Sequence, residues 1–200
     1  IMQIELEQWI GLSPLMLLYA FFAIGVAAYI RGYSGFGFSA LTVTSLALIL
    51  PPSEVVPTAY MLEVAASIHM LPLVWRSIDW KILRWLVIGA VMGTPFGIIF
   101  LEEVPQETMR LVISGIVLTA SLLLWKNIRI KSSANWYSIL AVGFFSGVIN
   151  GAAAIGGLPV VLFFLSISLG SALSRASMVA YLFIIDLYAV FLPGSQQLIS

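Results

Sequence analysis

An all-α fold that crosses a membrane several times is what the sequence predicts, on three observations. The chain is 61% hydrophobic and only 9% charged, against roughly 45–50% and about 25% in soluble domains. Its apolar residues come in blocks, most of which approach the ~20 residues needed to cross hydrocarbon. Charges gather between those blocks far more than within them. A soluble fold of 200 residues needs more polar side chains than this to cover its surface, so the solvent around most of it is lipid.

The blocks lie near 11–30, 37–50, 55–75, 82–101, 109–125, 136–150, 156–169 and 175–193. The first follows Ile1-Met2-Gln3-Ile4-Glu5-Leu6-Glu7, an acidic leader with no small-residue cleavage pattern, so it reads as a span and not as a signal peptide. The second and seventh, 37–50 and 156–169, are short, and each follows a glycine cluster. Segments of about 14 residues re-enter more often than they span, so 11–50 and 136–169 read as hairpins. The remaining blocks are full-length crossings.

Loop charge orients them. Arg76-Ser77-Ile78-Asp79-Trp80-Lys81 with Arg84 is net positive, as is Lys126 with Arg129 and Lys131. Glu102-Glu103-Val104-Pro105-Gln106-Glu107 between them is acidic. The positive-inside rule places both basic loops in the cytoplasm and the N-terminus outside. Trp75, Trp80, Trp85, Trp125 and Trp136 flank the basic loops, where an interfacial aromatic belt belongs.

The hairpins read as one motif used twice. Gly35-Phe36-Gly37-Phe38-Ser39 and Gly156-Gly157-Leu158-Pro159 lie about 120 residues apart, the spacing of duplicated transporter halves. Each is followed by a short apolar run and a full-length block, with Ala59-Tyr60-Met61-Leu62 matching Ala180-Tyr181-Leu182-Phe183. Three crossings separate the hairpins, so the second unit enters from the opposite side. The expectation is a polytopic helical transporter with inverted-topology repeats: residues 1–131 form a hairpin plus three spans, and 132–200 a hairpin plus one. That architecture anticipates about two further spans after Ser200.

The breaks are where chemistry is expected. In Arg31-Gly32-Tyr33-Ser34-Gly35-Phe36-Gly37 the glycines let the backbone leave helical geometry, tolerated in lipid only beside a cavity or inside protein. A helix restarting near Phe38 aims N–H groups with partial positive charge into that cavity. Arg31 adds a planar fork suited to oxyanions, and Tyr33, Ser34 and Ser39 add hydroxyls. In the second break, Asn150 with Gly156 and Gly157 offers a polar handle without a nearby charge, so the first break reads as the charged half of the site and the second as the neutral half. A plainer reading lets the glycines serve close helix packing and sends Arg31 to an interface. The repetition of the break favours a site.

Glu63, His69, Arg175 and Asp186 fall inside apolar blocks, where an ionisable residue costs several kcal/mol and usually marks a pathway or proton relay. Glu63 is the first candidate for a proton-coupling carboxylate or a partner to Arg31, and Asp186 the second. His69 reads as interfacial and Arg175 as a topology charge. Without cysteine, and with a single histidine, thiolate, zinc and Ser/His/Asp chemistry have no footing. No enzyme activity, cofactor or metal is expected. Nine basic against nine acidic residues give no pull toward nucleic acid.

Arg31-Gly32-Tyr33-Ser34-Gly35-Phe36-Gly37, Leu50-Pro51-Pro52 with Val56-Pro57, and Leu62-Glu63-Val64-Ala65-Ala66-Ser67 resemble the sulfite exporter TauE/SafE family. Ile78-Asp79-Trp80, the stretch Gly89 to Gly97 and Gly156-Gly157-Leu158-Pro159 extend the resemblance over about 11–190, although many members carry a triple glycine at the second break. The resemblance implies a proton-driven carrier or exporter of sulfite, sulfonates such as sulfoacetate, thiosulfate or related carboxylates in the bacterial inner membrane. It also implies site roles for Arg31, Gly32, Ser34, Gly35, Gly37 and Glu63. The expected partners are a small anion, protons and membrane lipid, with oligomerisation open. An anion channel on the same scaffold is the alternative, and flux rates separate the two. An anchor for a soluble partner would need neither paired breaks nor mid-membrane charges.

Overall fold

The computed structural model describes residues 13–126, 135–167 and 169–192. The acidic leader 1–7, Arg129 and Lys131 of the second basic loop, and the expected unit boundary at 131/132 lie outside the described residues. So do residues 193–200.

Among the described residues there are eight α-helices and no strand. α1 (Pro14–Ser34) is 21 residues, about 31 Å long. Ser13 caps its start by accepting from the Met16 N–H at 3.4 Å, and Pro14 occupies the first helical position, where its missing N–H costs nothing. α2 (Phe38–Leu46) turns back along α1. α3 (Pro52–Val74) follows and ends in a short 3₁₀ turn, Trp75–Ser77. α4 (Trp80–Glu103) is capped by the Asp79 carboxylate, which accepts from the Lys81 and Ile82 N–H groups at 3.1 Å each. α5 (Gln106–Trp125), α6 (Trp136–Ala153), α7 (Gly157–Ser166) and α8 (Ser171–Phe191) complete the order.

α1, α4, α5, α6 and α8 are long and apolar enough to cross a membrane. α3 has the length, 23 residues, but interrupts its apolar run with Glu63, His69, Pro57 and Pro72. The chain is therefore a multi-pass helical membrane protein, as composition predicts.

Two boundaries moved from the sequence reading. α1 continues past residue 30 to Ser34, because the Ser34 hydroxyl reaches the Ile30 carbonyl (2.9 Å) and helix geometry survives Gly32. Gly35 then ends the helix at φ +83°, its N–H bonded to the Arg31 carbonyl at 2.7 Å, a left-handed cap that glycine adopts without steric cost. α6 likewise continues through Asn150 to Ala153 and ends on Ala154 at φ 57°. The second cap repeats the first one's left-handed geometry with a residue that has a Cβ.

The tightest helix pair is α4 with α6. Gly89, Gly93 and Gly97 recur every fourth residue on α4, and Gly143, Gly147 and Gly151 do so on α6. A Cβ on any of them would run into backbone of the other helix: Gly89 on Leu140, Gly93 on Phe144, Gly97 on Val148, and reciprocally Gly143 on Leu86, Gly147 on Ala90 and Gly151 on Thr94. Numbers rise together along both helices, so they run parallel. Lipid gives helices no hydrophobic reason to associate, and close backbone approach supplies dispersion contact instead. Two clusters fill the space around this pair. One joins α4 with α7 and α8 through Leu86, Phe164, Tyr181 and Ile185; the other gathers Val43, Val56, Tyr60, Met109 and Ile155. The 3₁₀ turn packs on α8, and the Asp79 N–H donates to Ser177 Oγ at 3.0 Å. α8 thus begins at the membrane face where α3 ends. Trp75 with Trp80 and Trp85 with Trp136 pair at ring centroids 4.9 and 5.4 Å apart on that face.

Candidate functional site

Both breaks converge on one buried region. α2 restarts at Phe38 behind Gly37 (φ +90°), and α7 restarts at Gly157 behind Gly156; neither start has a side-chain cap. The two helix starts line a common cavity of about 10 Å³ with Phe36, Ser39, Glu63, Ile155, Leu158 and Leu182, room for about one water.

The charged groups sit beside it. Arg31, in the last turn of α1, is 1% exposed, and so is Glu63 from the middle of α3. They form a buried ion pair through Nη1 and Oε1. Nη1 also donates to the Gly35 carbonyl (3.3 Å) and Nη2 to Ser67 Oγ (2.6 Å). Glu63 Oε2 accepts from Ser39 Oγ at 2.8 Å. Ser67 and Glu63 lie one turn apart on α3 and present to the same guanidinium. Three helices of the first hairpin region therefore meet on one ion pair.

The second break has an ionisable carboxyl group beside it, which corrects the expectation of a polar handle with no such group nearby. Asn150 Nδ2 donates to Asp186 Oδ1 at 2.7 Å, and Asn150 Oδ1 accepts the Gly156 N–H at 3.0 Å. Asn150 and Asp186 are separated by 36 positions, and only the packing of α8 against α6 brings the carboxylate there. Asp186 is fully buried, and its Oδ2 has no hydrogen-bond partner among the described residues. Ser146, one turn before Asn150, donates to the Gly156 carbonyl (2.5 Å) and so accepts from the Tyr181 hydroxyl (2.7 Å). The Tyr60 hydroxyl lies 2.6 and 2.9 Å from the carbonyls of Asn150 and Gly151 at the end of α6.

Of the residues singled out in the sequence, Gly35, Phe36, Gly37, Gly156 and Gly157 build the breaks, and Arg31, Glu63, Asn150 and Asp186 surround them. Gly32 contributes its carbonyl. Ser34 turns back on its own loop, within 2.7 Å of the Phe36 carbonyl, and Tyr33 is 85% exposed on the outer surface of α1. His69 is exposed. Tyr60, Tyr181 and Ser146 were not singled out as site residues. Their signal was present: the tyrosines are the polar positions of the matching tetrapeptides, and Ser146 precedes Asn150 by one turn on an apolar helix.

Among the described residues the buried charges are one cation, Arg31, and two carboxylates, Glu63 and Asp186. No group of three or more His, Cys, Asp or Glu among them forms a metal cluster. The family model for the sulfite exporter TauE/SafE matches residues 20–197. The chain belongs to this family. No match was found among curated proteins or among solved structures. For a TauE/SafE chain, membership gives membrane transport of sulfite or related anions as the class of activity, and the paired breaks are the natural place to look for it.

Proposed function

We propose that this TauE/SafE protein is a secondary carrier that exports a small sulfur-containing or organic anion, such as sulfite, a sulfonate or thiosulfate, across the bacterial inner membrane with proton coupling. The observation that carries the reading is the buried Arg31–Glu63 pair beside two uncapped helix starts. Helix N-termini attract anions through unpaired N–H groups and the helix dipole, and half-helices aimed at a substrate anion are a recurrent transporter device. Here the position is held by an internal anion, the Glu63 carboxylate.

Charge balance then supplies the mechanism. A substrate anion entering beside Arg31 would place three negative charges on one buried cation, which a dry interior penalises heavily. Protonation of Glu63 removes one of them, releases Arg31 to the substrate and keeps the site's net charge unchanged. One proton therefore accompanies each monoanion. Asp186, held by Asn150 without a cation of its own, is the second proton acceptor, on the other break. Alternating access arises from two inverted units, residues 1–131 and 132–200, rocking about the cavity, with the basic loops cytoplasmic and the N-terminus outside. A carrier is reversible, so export follows wherever the anion gradient outweighs the proton gradient.

The test is calorimetry of sulfite binding to purified protein in buffers of different ionisation enthalpy. Wild type is expected to take up about one proton per monoanion. Glu63→Gln is expected to bind sulfite with no uptake, and Arg31→Ala not to bind. Proton uptake that persists unchanged in Glu63→Gln removes Glu63 from the coupling role. Saturable, pH-gradient-dependent flux in liposomes marks a carrier, and non-saturating current at fixed pH marks a channel.

A further inference from the structure

Arg175 lies at the start of α8, where the sequence suggested only a topology charge. The structure puts it on the first break. Its Nη2 donates to the Gly32 carbonyl at 3.0 Å across 143 residues of sequence. Its stem lies over Gly35, where a Cβ would meet Arg175 Cγ at 2.6 Å and Cδ at 3.5 Å. Gly35 is favoured as glycine by its left-handed φ, and its missing Cβ also leaves room for the arginine stem lying on it.

Local chain geometry explains the contact. The last carbonyls of a helix lack intrahelical partners. The Gly35 N–H takes the Arg31 carbonyl, while the Phe36 N–H turns to Ser34 Oγ at 3.3 Å, leaving the Gly32 carbonyl to an outside donor. Arg175 provides it from the helix that also carries Asp186. Arg175 itself is exposed, whereas Arg31, on the neighbouring residue of α1, is 1% exposed. The cavity wall begins at Phe36, the residue after Gly35. The two guanidinium groups thus stand as an outer and an inner cation on either side of one turn of backbone.

We propose that Arg175 is the outer anion contact of the transport site, parked on the Gly32 carbonyl until an oxyanion arrives from the side where α8 begins. An oxyanion offers the guanidinium full opposite charge and two oxygens for its fork, where the Gly32 carbonyl offers one neutral oxygen, so an incoming sulfite or sulfonate takes the fork from Gly32. The exchange also lifts the arginine stem from Gly35 and opens the turn that leads to Arg31. Arg175 acts on substrate capture; Arg31 holds what has been captured. This rests on the anion-carrier reading above.

The experiment is sulfite uptake into liposomes carrying the full-length protein, with wild type, Arg175→Gln, Arg175→Lys and Arg175→Cys compared. Arg175→Gln is expected to raise KM about tenfold, the lower range for a lost charge-assisted bond at an exposed position, with maximal rate within twofold. Arg175→Lys should keep KM within about threefold. These 200 residues contain no cysteine, so aminoethyl methanethiosulfonate labels Arg175→Cys at that position, returns a positive charge and should lower its raised KM again. A KM within twofold of wild type in Arg175→Gln, or a loss of maximal rate that charge restoration does not reverse, overturns the proposal while leaving the carrier intact. Wild-type protein that neither binds nor moves sulfite, sulfonate or thiosulfate overturns the carrier reading, and this one with it.

Discussion

Separating Arg31 from Glu63 should cost more than removing both. Each is 1% exposed, so Glu63→Gln leaves a guanidinium in a dry interior facing Ser67, the Gly35 carbonyl and a neutral amide where its ion-pair partner stood. Breaking a buried pair by deleting one partner costs about 3–5 kcal/mol. With roughly 2–4 °C of Tm per kcal/mol for chains of this size, Glu63→Gln should unfold about 6–20 °C below wild type. Arg31→Met is milder, because the stranded Glu63 still holds the Ser39 hydroxyl at 2.8 Å and can neutralise itself by taking a proton. The double variant Arg31→Met/Glu63→Gln contains no buried charge at this position. Replacing a buried ion pair by neutral groups is often neutral or stabilising, so it should recover most of the loss. The assay is thermal unfolding of the four proteins in one detergent, read by tryptophan fluorescence. A Glu63→Gln protein within 2 °C of wild type, or a double variant no more stable than Glu63→Gln, would refute the argument. A recovered double variant that fails to bind sulfite would show that the pair is kept for function at the expense of stability.

Other outcomes follow from the same geometry. Gly93→Ala places a methyl against the Phe144 carbonyl and should cost about 1–3 kcal/mol of overpacking, whereas Gly115→Ala, with nothing within 4 Å, should leave Tm unchanged or higher. Tyr60→Phe removes the hydroxyl serving the Asn150 and Gly151 carbonyls and should cost about 1 kcal/mol, checked by the same unfolding assay. Asp186→Asn keeps an acceptor for Asn150 and should preserve the fold and sulfite exchange at equal pH; with Glu63 still carrying the coupled proton, it should lower accumulation driven by a pH gradient without abolishing it. Gly37→Ala meets open space but keeps φ +90°, so it should show the left-handed strain alone, about 1–2 kcal/mol.

The apolar blocks were legible because lipid enforces a length on each span, and the eight helices fall within a few residues of the eight blocks. The breaks were legible because glycine and proline interrupt those blocks. The pairing of Arg31 with Glu63 was an option open to the sequence, since charges are scarce in these blocks and a buried charge in lipid needs a partner. Asp186 beside Asn150 was not, since it depends on how α8 lies against α6, and no local pattern encodes that. The glycines from 89 to 97 entered the sequence reading only through the family resemblance, and the helix they pack on is set by tertiary structure. The contact of Arg175 with Gly32 was out of reach for a related reason: beside a predicted membrane boundary, a basic residue that orients a helix and one that also reaches a distant carbonyl look alike in sequence.

The parallel glycine seam also sets a timetable for biogenesis. Gly143 follows Gly89 by 54 positions, an offset repeated at Gly93 with Gly147 and Gly97 with Gly151. At about 5–20 residues per second of synthesis, α4 enters the bilayer roughly 3–11 s before the helix it must grip. Throughout that interval its groove faces lipid or a chaperone, and α5 has to insert without filling it. The seam closes only after α6 is made. A ribosome stalled between α5 and α6 should therefore hold a nascent chain whose α4 is still open to cross-linking by lipid-soluble probes.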